Sequence, residues 1–196
     1  MQNTLAMHLT QRMRLKSKSD LLVDTALVVV GSLFVALMAQ VAIYLPFSPI
    51  PITGQTFAVL LIGMSYGSRL GSLTLLAYLL EGAAGMPFFA GGLAGPSVLV
   101  SPTGGYLLGF TAAAWLVGRI ADRSRVNKPL VALIAFITGS IVIYLFGAVW
   151  LSTYVGVEQA IRVGVLPFLL GDMIKALLAG SGLPAAWALV DRFSSK

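Results

Sequence analysis

Hydrophobic positions run along this chain in long unbroken blocks, with neither the alternation of a half-buried strand nor the one-sided stripe of a surface helix. Six blocks read as membrane helices: span 1 over 21–46, span 2 over 54–66, span 3 over 68–84, span 4 over 104–119, span 5 over 130–153 and span 6 over 166–190. Pro46 closes the first, and Pro167 suits the first turn of the last. A span surrounded by lipid needs about 20 apolar residues. Spans 2, 3 and 4 fall short of that, so they are expected to pack inside the bundle. The predicted fold is an all-α integral membrane protein, a compact bundle of six transmembrane helices. A basic tail over 1–20 precedes a single membrane domain over 21–193. The apolar run from 21 to 45 exceeds the core of a signal peptide and reads as a retained span.

Two connections are not ordinary loops. Residues 47–53 read FSPIPIT, and 85–105 read GMPFFAGGLAGPSVLVSPTGG, without a charge. Irregular backbone that apolar is tolerated at membrane depth only where protein buries it or it lines a cavity. Both segments are expected to cover an outward-facing cavity.

Composition agrees with the pattern. The chain is 58% hydrophobic and only 10% charged, against about 25% charged for a soluble domain. Mean hydropathy is +0.91. The net charge of +6 does not point to nucleic acid, because the basic residues sit in short segments between apolar runs. With six spans both termini share one side. That side holds eleven of the thirteen basic residues: Arg12, Arg14, Lys16, Lys18, Arg69, Arg119, Arg123, Arg125, Lys128, Arg192 and Lys196. The positive-inside rule then places both termini in the cytoplasm, with the protein in the cell membrane. Tyr44, Trp150 and Tyr154 fall near the outer interface, where aromatic residues collect. Cysteine is absent, which excludes disulfides and thiolate metal sites.

Ionisable residues inside spans are functional candidates. Three stand out: Glu81 near the outer end of span 3, and Asp172 and Lys175 in span 6. At 1.5 Å per residue the latter two lie roughly 8–14 Å below the outer start of their span. Gln40 and Gln55 also fall in the outer half. Scattered structural polar groups have no reason to share a depth, so the five together indicate a site. Asp172 and Lys175 are spaced i, i+3 and face the same way. Either they form a structural ion pair, or they offer an acceptor and a cation to a ligand. Gly63-Met-Ser65-Tyr-Gly67 matches the nucleophile-elbow string, but its setting is helical and the single histidine, His8, lies in the tail. No phosphate-binding loop is present, so ATP-driven uptake needs partners. The Gly63, Gly67, Gly71 series, and Gly105 with Gly109, are patterns for close helix packing. Ser32 and Ala36 form a smaller pattern on span 1, either a seam within the bundle or a docking surface for a partner helix.

Four strings, LPFSPIPITGQTFAVLL (45–61), YLLEGAAGMPFFAGG (78–92), SPTGGYLLGF (101–110) and FLLGDMIK (168–175), resemble the BioY family, the biotin-specific S components of energy-coupling-factor (ECF) transporters. The resemblance runs from about 30 to 190. It implies the S-component fold with an outward biotin pocket, and no cofactor beyond that ligand. It makes Asp172 and Lys175 ligand contacts, implicates Thr53 and Gln55 through PITGQT, and Tyr78 and Glu81 through YLLEGAAG. Phe88, Phe89 and Tyr106 are expected to pack on the apolar bicycle. The implied partners are a membrane coupling subunit and two ATPase subunits, with Ser32 and Ala36 standing where S components tend to carry an Ala-x-x-x-Ala docking pattern. The segment GGLAGPSVLVSPTGG carries no cation for a carboxylate. Two other readings fit the bundle and the polar cluster alone: an S component for a different vitamin, and a membrane-embedded enzyme using Glu81, Asp172 and Lys175 as acid and base.

Overall fold

The computed structural model describes Thr4, residues 17–124 and residues 128–194; the side chains of 17–20 and 185–194 are not among those described. Apart from Thr4 and the start of the first helix, the basic tail assigned to 1–20 lies outside the described residues. Helix α1 spans Ser17–Gln40 and a two-residue hairpin follows, β1 (Ala42–Ile43) pairing antiparallel with β2 (Ile52–Thr53). Then come α2 (Gln55–Ala83), two short 3-10 turns at Ala90–Gly92 and Pro96–Val98, α3 (Gly104–Arg123), α4 (Pro129–Val155), α5 (Val157–Gly164) and α6 (Leu166–Ser194). The chain is therefore helical almost throughout. Among the described residues, four helical stretches are long and apolar enough to cross a membrane: Leu21–Gln40, Gln55–Ala83, Pro129–Val155 and Val157–Pro184.

Length alone misreads two of them, since Val157–Pro184 runs across the break at Val165 between α5 and α6. Gln55–Ala83 contains a non-helical residue, Gly67, at φ +81° and ψ 178°. In a straight helix Gln55 and Tyr78 would stand about 34 Å apart at 1.5 Å per residue; instead the Gln55 amide donates to the Tyr78 hydroxyl at 2.6 Å. The element is two antiparallel arms, 55–66 and 68–83, as the sequence break at Gly67 predicts. Glycine permits the positive φ at the reversal. Asp122 of α3 secures it, because its Oδ2 accepts from the Ser68 amide (3.1 Å) and the Ser68 hydroxyl (2.6 Å), capping the second arm.

The two arms and α3, the three short spans, are each about half buried, as their shortness demands. Ala58, Val59, Leu60 and Leu75 are fully buried. Glycines let the backbones approach closely. A Cβ on Gly71 would lie 3.1 Å from the Gly63 Cα, and one on Gly118 would lie 2.4–2.5 Å from backbone atoms of Gly67 and Ser68. Gly139 of α4 makes room instead for the side chains of Leu60 and Val117.

Two expectations change. Ser32 and Ala36 are buried on the inward face of α1, beside Gly31, which abuts Thr74 of the second arm and Tyr66 of the first. The pair is a packing seam within the bundle and presents no docking surface; the outward face of α1 is Leu22, Val30 and Leu37. In addition, α5 is a separate element that apolar-run counting overlooks. It buries Ala160 and Val163 and exposes the Glu158–Arg162 ion pair.

Gly118→Ala is expected to lower the melting temperature of detergent-purified protein by several degrees, since overpacking against rigid backbone costs about 1–3 kcal/mol. Gly182→Ala, with no neighbour within 4 Å of its Cβ, is expected to leave it unchanged or slightly higher. Equal effects in a thermal-shift series would contradict this packing scheme.

Candidate ligand-binding site

Thr53 and Gln55 stand where β2 runs into α2, and this junction is rigid. The Thr53 hydroxyl donates to Gln55 Oε1 (3.0 Å) and accepts from the Gln55 amide N–H (3.2 Å). Gln55 donates on to Tyr78, whose hydroxyl donates to the Phe88 carbonyl (3.2 Å). Phe89 meets the Tyr78 ring edge-to-face at 5.7 Å. It stacks over Gly82, where any Cβ would enter the ring. Tyr106 is held by a bond to the Gly164 carbonyl (2.8 Å), its ring against Gly147.

Lys175 projects from α6 and is only partly exposed. Its Nζ donates to Asp172 Oδ1 (3.0 Å) and to the Thr56 hydroxyl (2.6 Å). The other oxygen of Asp172 accepts from the Tyr144 hydroxyl of α4 at 2.5 Å. Asp172 is itself buried. A desolvated ion pair with every close partner satisfied is the arrangement under which a buried charge is tolerated.

These groups wall a cavity of about 290 Å³, at the small end of the range for small-molecule sites. Thr53, Gln55, Thr56, Tyr144 and Lys175 form a polar side, and Phe89, Tyr106, Phe110, Ile143 and Phe168 an apolar one. The segment 47–53 and the segment 85–105 both reach the cavity, through Pro49, Ile50 and Pro51 and through Phe89, Leu93 and Ser101–Thr103 respectively. The roof is tethered from the helices. Gln40 donates to the Pro87 and Phe89 carbonyls and accepts from the Gly92 amide. The Trp150 indole donates to Ser101 O (2.9 Å), and Tyr154 to Val100 O. Trp150 and Tyr154, expected at the interface as belt residues, thus also hold the roof.

Of the residues singled out from sequence, Thr53, Gln55, Phe89, Tyr106 and Lys175 line the cavity. Tyr78 and Asp172 stand one bond behind the wall. Glu81 does not join them; it lies outside the lining, one carboxylate oxygen buried without a partner. Thr56 and Tyr144 were missed. Tyr144 carries a signal, a phenol within a span that has no charged residue, since a buried phenol needs a partner. Among the described residues no group of three or more His, Cys, Asp or Glu side chains is placed to hold a metal. The cavity offers donors, acceptors and apolar walls, suited to holding a small molecule unchanged.

A part-polar cavity under loops, in a bundle of membrane-spanning helices, defines a membrane-embedded small-molecule binding protein. Residues 8–192 match the model of the BioY family, and the chain belongs to that family. It is 39% identical over 149 residues to the probable biotin transporter BioY of Pyrococcus horikoshii, covering 76% of this chain and 88% of that one. It is 38% identical over 156 residues to the biotin transporter BioY of Thermotoga maritima, covering 79% and 86%. Among solved structures, the S-component for biotin from an ECF-type ABC transporter superposes with a TM-score of 0.78 at 22% identity, covering 92% of this chain and 95% of that one; this likeness shows a shared fold.

Gln40→Leu is expected to release the roof. Hydrogen exchange over 87–95 should rise on the order of tenfold, as two to three bonds of about 1 kcal/mol or less each are lost. Unchanged exchange would show that the loop is held by its packing alone.

Proposed function

We propose that this protein captures biotin from the outer side of the cell membrane, as the substrate-binding component of an ECF-type transporter. The observation that carries the reading is the cavity beneath the two apolar loops, whose lining combines a charge-paired lysine with aromatic rings. Biotin has the matching parts, a planar ureido group that both donates and accepts and an apolar fused ring. Family membership and the names of the relatives support that ligand over another vitamin.

The chain crosses the membrane six times in this reading, by α1, both arms of α2, α3, α4 and α6, with both termini cytoplasmic. The distribution of basic residues supports this orientation, and it puts the roofed cavity outside. The chain has no phosphate-binding loop, so energy comes from partners: a membrane coupling subunit and two ATPase subunits. The burial of Ser32 and Ala36 and the exposure of Leu22, Val30 and Leu37 favour the outward face of α1 over that pair as the docking surface.

Equilibrium binding of radiolabelled biotin to detergent-purified protein tests the ligand, with riboflavin and thiamine as competitors. Saturable binding resisted by neither competitor is expected. Lys175→Ala should weaken it roughly 10–150-fold, the equivalent of a charged hydrogen bond worth about 1.5–3 kcal/mol. Displacement by riboflavin or thiamine would assign a different vitamin, and absence of biotin binding by folded wild type would reject the proposal.

A further inference from the structure

Asp172 is the conspicuous acceptor in the membrane, yet it does not line the cavity, whereas its two partners Tyr144 and Lys175 do. Both of its oxygens are engaged, Oδ1 by Lys175 and Oδ2 by Tyr144. Its far side borders a second, lipid-facing groove between α4 and α6, whose wall it shares with Tyr144 and Ser140. The carboxylate is thus placed between the two spaces and reaches the cavity only through its partners.

The consequence falls on Tyr144. A phenol can donate one proton and accept through its lone pairs. In this arrangement the proton is committed to Asp172, so for a group bound in the cavity that Tyr144 lines, the phenol oxygen is left as an acceptor. Donation to a carboxylate also enriches that oxygen in electron density, because bonds in a chain polarise one another. Lys175 is the complement. Two of its three N–H groups go to Asp172 and Thr56, which leaves one donor. The polar wall therefore presents one donor and one acceptor side by side, held in register by a single carboxylate. The charges of Lys175 and Asp172 cancel, so this wall suits a neutral amide-like edge better than an anion. A ligand carboxylate here would meet the committed Tyr144 oxygen and the nearby Asp172 charge.

Resting on the biotin reading above, we propose that Tyr144 is a specificity-determining contact: its hydroxyl oxygen accepts a ureido N–H of the ligand while Lys175 donates to the ureido carbonyl. Asp172 acts through both as a positioning residue. The ligand carboxylate lies away from this wall.

The test uses detergent-purified full chain and three probes: biotin and the two cyclic carbamate analogues in which one or the other ureido N–H is replaced by oxygen. The replacement removes one donor with little change of shape. Wild type is expected to bind one carbamate at least tenfold more weakly than biotin. Tyr144→Phe should weaken biotin at least tenfold but change the affinity of that carbamate less than threefold, so the discrimination collapses. A merely structural role for the hydroxyl would weaken all three probes alike and overturns the inference. Wild type that binds biotin and both carbamates equally overturns it without recourse to any variant. Wild type that binds none of the probes rejects the biotin reading and this inference with it, an outcome distinct from the other two.

Discussion

The Lys175 ammonium imposes the constraint around which the site is organised. A cation in an apolar bundle is tolerated only when paired and hydrogen-bonded. Its two partners come from different places, Asp172 from its own helix and Thr56 from the start of α2. Asp172 is bound in turn to Tyr144 of α4. One charge thus sets three helices at a common depth, and a cavity exists where their polar ends converge. Removing any partner leaves a desolvated group exposed to an apolar surround, so the cluster behaves as a unit.

The two ends of the bundle solve opposite problems. At the Gly67 end the backbone reverses within a residue, and glycines bring three helices to near contact, with Asp122 securing the turn. At the cavity end the chain is irregular and apolar, so its carbonyls need donors. Side chains from the rigid helices supply them: Gln40, Tyr78, Trp150 and Tyr154 to the 85–105 segment, and Tyr106 to Gly164 at the end of α5. Ser48 of the shorter segment donates to Val163. Backbone that water does not reach must be satisfied by protein. A roof tied by side-chain bonds, rather than by a strand ladder, can be released a few bonds at a time.

Much of this was legible from residue order. Long apolar runs separated by charged or Gly/Pro-rich breaks marked the helices, and the interruption at Gly67 marked a reversal that helix length conceals. The shared depth of Gln55, Asp172 and Lys175 located the site, since depth follows from helical rise alone. The same argument overreached at Glu81. Depth fixes height but not azimuth, and Glu81 shares the level of the site without facing it. Ser32 and Ala36 failed for the same reason: small residues mark a close contact, not the partner across it.

What sequence by itself determined is therefore one-dimensional: which segments are helical and apolar, where the chain turns, how deep each polar group lies and, through its motifs, the family. Tertiary structure alone decided which groups face one another. It moved Asp172 behind Tyr144, brought Thr56 to Lys175 across 119 residues and turned Trp150 and Tyr154 into tethers. The physical reason is that rotation of a helix about its axis is set by packing against its neighbours. In a chain apolar on nearly every face, no amphipathic stripe records that rotation in the residues themselves.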